Sequence, residues 1–68
     1  MYLGKNENLA RRAVLSVARE FGVFVPVLSW RSACNELGIG RQRSHEVAKS
    51  LVRKNVLVVR GSTVAVVV

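Results

Sequence analysis

Sixty-eight residues make one small domain, and eleven Lys plus Arg against four Asp plus Glu give a formal net charge of +7. A single cysteine excludes an internal disulfide and suits a reducing compartment, and one Cys with one His makes no zinc site. Four scattered acids leave little material for an active site, so the expectation is a binding module with no catalytic residues, no metal and no cofactor.

A chain of this size buries only about 60% of its unfolded surface, so its own core confers marginal stability. Eight of the eleven cations are arginine, the side chain that forks onto phosphate and guanine. Between Arg41 and Arg60 six cations face only Glu46. Such a surface attracts polyanions, whether nucleic acid or an anionic membrane. No apolar run approaches the roughly 20 residues that span a bilayer, and the N-terminus has no secretory pattern, so no membrane partner is expected. Repeats, low-complexity tracts and linkers are absent. Residues 1–68 therefore read as one domain, with 1–6 a short N-terminal arm.

Asn6 or Asn8 can cap a first helix, with Glu7 near its positive end. Leu9, Ala10, Ala13, Val14, Val17, Ala18 and Phe21 share its apolar face, and Gly22 terminates it. Val23 to Leu28 is β-rich but broken by Pro26, which predicts a short edge strand or an extended connector. Ser29 caps a second helix over Trp30–Leu37, with Ala33, Cys34 and Leu37 inward. Gly38-Ile39-Gly40 turns into a third helix that runs from Arg41 to Lys54, and Asn55 suits its left-handed cap. Val47, Ala48, Leu51 and Val52 form the inner face of that helix, and Arg41, Gln42, His45, Lys49 and Arg53 the outer one. Ser44 falls on the inner side, where its hydroxyl can bond back to the Gly40 carbonyl. Two valine-rich runs, 56–59 and 64–68, flank Arg60-Gly61-Ser62-Thr63 and predict a hairpin with a two-residue turn. Trp30, Phe21 and Phe24 read as core residues because their neighbours are Val and Ala. The sum is an α+β fold of three helices, a short strand and a C-terminal β-hairpin.

That order resembles the winged helix-turn-helix family of small transcription regulators over about residues 8–68. The turn carries the resemblance: Cys34 stands four positions before Gly38, Leu37 and Ile39 flank that glycine as core anchors, and Val47 and Leu51 hold the third helix down. Asn55-Val56-Leu57 occupies the place of the family's usual Gly-Leu-Ile. Two positions depart from the pattern. Gly40 stands where Ser or Thr usually caps the recognition helix, and Ser44 where Val or Ile is usual.

The resemblance implies a double-stranded DNA-binding protein, cytoplasmic and nucleoid-associated. Its third helix (41–54) would lie in the major groove and its wing (56–68) on flanking backbone or minor groove. Arg41, Gln42 and Arg43 open that helix and are expected at the DNA, with His45 one turn on. Lys49 and Arg53 further along suit the backbone. Arg31 on the second helix is placed for a phosphate, and Arg60 at the hairpin tip for a minor groove. Glu46 suits either a cytosine amino group or a pairing with Lys49 or Ser50, and Lys54 a phosphate or the solvent. Each of these side chains also fits a plain solvated face. Two other readings stay open: a ribosomal or other structural RNA binder of the same shape, and a protein-interaction winged helix that uses its sheet. A homodimer is expected, through the apolar C-terminal strand (Val64, Val66 and Val68 on one face, Ala65 and Val67 on the other) or through the first helix with Tyr2 and Leu3. At this length no effector domain fits, so no small-molecule ligand is implied.

Overall fold

The computed structural model describes residues 3–67; Tyr2 and Val68, both assigned to self-association above, lie outside the described residues together with Met1. The order is α1 (Lys5–Phe21), β1 (Val25–Pro26), α2 (Val27–Glu36), α3 (Arg41–Arg53), β2 (Leu57–Arg60) and β3 (Thr63–Val66), an α+β arrangement of three helices and a three-stranded antiparallel sheet.

Helix α1 starts earlier than either asparagine would allow. Gly4 takes the N-cap position, and its amide donates to Glu7 Oε1 at 2.9 Å. This is the glutamate half of a capping box; glycine has no side chain to supply the other half. An acid three residues into the helix thus satisfies an orphan donor, and Lys5 and Asn6 become helical instead of forming part of an arm. Ala10, Ala13 and Val14 are buried, and Val17 and Ala18 pack on the core. Phe21 does not belong with them. It is 50% exposed, because the last residue of α1 lies beyond the stretch that packs. Gly22 ends the helix at φ 88°.

Pro26 sits in the edge strand β1, where its missing N–H breaks no ladder. Helix α2 begins directly after it, three residues before the start expected from Ser29. The first free amide of the helix, that of Val27, donates to the carbonyl of Ser62 at 2.9 Å, so a distant backbone group replaces a side-chain cap. Trp30 is fully buried, and its Nε1–H donates to the Ala10 carbonyl at 2.9 Å, which pins α2 to α1. Phe24, expected in the core beside it, is more than a third exposed.

Helices α2 and α3 end in the same way. After α2 the Gly38 amide donates to Asn35 O and the Ile39 amide to Cys34 O; after α3 the Asn55 amide donates to Val52 O and the Val56 amide to Leu51 O. This is the Schellman pattern, and it requires a positive φ at the first residue past each cap: 89° at Gly38 and 61° at Asn55. The reversal at Gly38 swings Ile39 into the core beside Cys34 and leaves Leu37 outside. Leu37, expected as a core anchor, is 47% exposed.

Ser44 is completely buried on the inner face of α3 with Val47 and Leu51. Its hydroxyl donates to the Arg41 carbonyl at 2.8 Å and not to that of Gly40, which already accepts Ser44's own amide at 2.8 Å. Val52, expected inside, is 38% exposed. It lies about 100° around the helix from Leu51, off the buried stripe.

The sheet order is β1-β3-β2. Val64 faces Val25 on one side and Val59 on the other, so the C-terminal strand is central where it meets β1, and the edges of the sheet belong to β1 and β2. That corrects the expectation of β3 as an open edge. Val64 and Ala65 point to opposite faces and are both buried, so the middle of the valine-rich run is core, while Val67 is 46% exposed. Gly61, at φ 62°, and Ser62 form the two-residue turn, with positive φ only at the first position as in type II′. Trp30, Leu51, Leu57, Val14, Val25 and Val64 are the largest fully buried side chains, drawn from every element. Truncating one such leucine typically costs about 2–5 kcal/mol.

Candidate nucleic-acid interface

At 100° per residue α3 divides into sectors, each with its own neighbour. Ser44, Val47 and Leu51 face the core. Ser50 and Lys54 face α1, where the Ser50 hydroxyl donates to Glu7 Oε2 at 2.7 Å and Lys54 Nζ to Oε1 at 2.9 Å. The remaining polar side chains, Arg41, Gln42, Arg43, His45, Glu46, Lys49 and Arg53, are all exposed.

Glu7 therefore receives hydrogen bonds from the Gly4 amide, Lys54 and Ser50, in that order of influence, and its pKa drops to about 2. Its side chain is only 14% exposed, and its pairing with Lys54 is the one ion pair among the described residues. The start of α1 is thereby fastened to the end of α3. Two assignments change as a result. Lys54 is occupied by Glu7 instead of facing a phosphate, and Ser50 bonds Glu7 instead of Glu46. Glu46 is left exposed with neither of its expected partners.

Six of the eight candidate residues come together. Arg31 reaches from α2 to α3, its Nη2 lying 3.4 Å from His45 Nδ1. A guanidinium only donates, so that contact needs Nδ1 as a bare acceptor and leaves Nε2 as the donor of the ring. Arg31, Arg41, Gln42 and His45 line one concavity at the start of α3. Arg31 and His45 continue into a second, of about 370 Å³, where Lys49 and Arg53 join them. The two hollows form a single cationic tract along α3 and its junction with α2.

The other two candidates stand apart. Arg43 is exposed but borders neither hollow. Arg60 does not reach out from the hairpin; its guanidinium lies 5.1 Å from the centre of the Phe24 ring, a cation–π contact that ties it to the segment before β1. Phe24 escaped attention because its apolar neighbours read as core. The floor of the second hollow escaped it too. Val27, Ala48, Val52 and Val59 line that space beside the cations, and only the offset of Ala48 and Val52 from the Val47–Leu51 stripe hinted at a second apolar sector.

The start of α3 is unusual electrostatically. Gly40 caps it without a side chain, its first turn holds no acid, and Arg41 and Arg43 sit at the positive end of the helix dipole. Cations there oppose the dipole by about 0.3–1 kcal/mol each, and an anion placed against the free amides reverses the sign. Among the described residues no group of His, Cys, Asp and Glu could hold a metal ion. No helix among the described residues is long and apolar enough to cross a membrane. Cys34 is buried in the core, and that burial pushes its thiol up to about 11. No family model, curated protein or solved structure matches this chain.

Proposed function

We propose that the chain is a winged helix-turn-helix protein that binds double-stranded DNA with sequence preference and regulates transcription. The supporting observation is the exposed tract of Arg41, Gln42, His45, Lys49 and Arg53 along α3, joined by the half-buried Arg31 at its junction with α2 and opposed by one acid, Glu46. Arg41 and Gln42 at the N-terminal end of α3 meet base edges in the major groove, where forked donors discriminate bases. Lys49 and Arg53, farther along the same face, hold the backbone, and Arg31 clamps a phosphate from α2. The hairpin follows on the flank of α3, with Arg60 stacked on Phe24 and so presented beside the sheet instead of at a free tip. Two copies on a two-fold site suit a domain this small, and β2 is the longer of the two edge strands that a partner could extend.

The test is binding to a duplex library and to folded RNA, each at low and physiological salt. Four to six neutralised phosphates give a log–log slope of roughly −4 to −5 on duplex DNA. A flat salt response, or a preference for folded RNA over duplex, would overturn the reading. Sedimentation equilibrium with and without DNA reads the oligomeric state, and a monomer in both states removes the second copy.

A further inference from the structure

The hollow between α2, α3 and the hairpin has a composition that DNA contact alone does not require. Val27, Ala48, Val52 and Val59 give it apolar walls, and its volume of about 370 Å³ suits a small organic molecule. Its charged lining is wholly cationic, from Arg31, Lys49 and Arg53, with no carboxylate to answer them, and His45 adds a polar ring. Arg31 adds a second, independent sign. Its Nε is shut off from solvent and has no hydrogen-bond acceptor, a donor left without the partner that buried polar groups normally have.

We propose that this groove binds an organic monocarboxylate with an apolar body. The Nε and Nη of Arg31 form the planar fork that a carboxylate accepts with both oxygens, and a small turn of the guanidinium brings the unpartnered Nε onto the ligand. Lys49 stands on the same rim to share the charge. The tail displaces water from Val27, Val52 and Val59. A phosphodiester brings the charge without the tail and leaves those walls wet, so the apolar lining selects a carboxylate with a hydrophobic body. Bound there, the ligand engages Arg31 and Lys49, which the DNA reading assigns to the duplex. Occupancy therefore releases DNA, a consequence that rests on that reading, although the binding itself does not.

Calorimetric titration of the DNA-free protein with octanoate, acetate, inorganic phosphate and 1-octanol tests it. Octanoate binds saturably, and the other three bind at least about tenfold more weakly, because each lacks the tail or the carboxylate. Arg31→Ala lowers octanoate affinity by at least about tenfold. Val59→Asp, on the exposed edge strand, and Val52→Asp, on the exposed flank of α3, put a carboxylate into the groove and abolish binding while circular dichroism shows a native fold. Phosphate binding as tightly as octanoate, no saturable octanoate signal, or full affinity in both valine variants would overturn the proposal. A duplex that binds the free protein and stays bound at saturating octanoate overturns the regulatory part. A protein that takes octanoate but never binds duplex marks the failure of the DNA reading, and the groove assignment stands.

Discussion

The two Schellman caps offer a controlled comparison, since one motif is built once on glycine and once on asparagine. In Gly38→Ala, a Cβ is forced into φ 89°, with no neighbouring atom within 4 Å to clash with it. The whole effect is then conformational. The left-handed region costs an L-residue about 1–2 kcal/mol, and the stiffer unfolded chain returns about 0.4–1 kcal/mol. The net loss is about 1 kcal/mol, which for a domain of this length lowers the melting temperature by about 4–8 °C. Asn55→Gly runs the other way. Asparagine tolerates φ 61° better than alanine does, so relieving it gains only about 0.5 kcal/mol, a rise of a few degrees. Gly40→Ser is a third reference point: at φ −64°, with open space around it, serine supplies the missing side-chain cap and gains a few tenths of a kcal/mol. Thermal melts followed by circular dichroism, with urea titrations for the free energies, read all three. Gly38→Ala melting within about 1 °C of the wild type, or Asn55→Gly melting lower, would refute the assignment of these positions as strained caps.

Glu7 gives an acid limb to stability. Its folded pKa is depressed from 4.5 to about 2, so its contribution is fully present above pH 4.5 and is lost as pH falls toward 2. Urea midpoints between pH 2 and 6 should decline along that limb, and Glu7→Gln should flatten it; parallel declines in both proteins would remove Glu7 as the cause. Cys34, buried and with its thiol raised to about 11, should react with iodoacetamide far more slowly in the native protein than in denaturant, and equal rates would contradict its burial. On DNA, Arg41→Ala or Gln42→Ala should weaken a preferred site by about 1–3 kcal/mol more than random sequence. Lys49→Ala and Arg53→Ala should weaken both alike, and equal profiles for the two pairs would mean that α3 reads no bases.

Much of this fold was legible because its signals are local. The period of Ala10, Ala13 and Val14, the glycine at 38, the asparagine at 55 and the Gly-Ser turn each act within a few residues, and each sits where it was expected. Two of the misreadings arise because the deciding partner is remote in sequence. Ser29 is a good cap by residue type, but the Ser62 carbonyl reached Val27 first. Lys54 was open to a phosphate or the solvent, and Glu7, 47 residues away, takes it instead. Phe21 and Phe24 are apolar enough for a core that had no room at that end, and Leu37 was turned out by the cap that turned Ile39 in. The basic face of α3 could be read from its spacing, whereas the apolar groove beside it depends on Val27 and Val59 arriving from other elements.

The bond from the Val27 amide to the Ser62 carbonyl changes what the hairpin turn is. Tips of this sort are usually the parts of a protein that accept inserted residues or a protease nick, because nothing else leans on them. Here the tip is mechanically part of α2, so lengthening the loop at Gly61-Ser62 would withdraw an acceptor from a helix in another part of the chain. The same bond works in the opposite direction. A force on the hairpin reaches the first turn of α2 at Val27, about one helical turn before Arg31, without passing through the core. Hairpin and helix should exchange their amide hydrogens as one cooperative unit, with Val27 protected to the same degree as the strand amides.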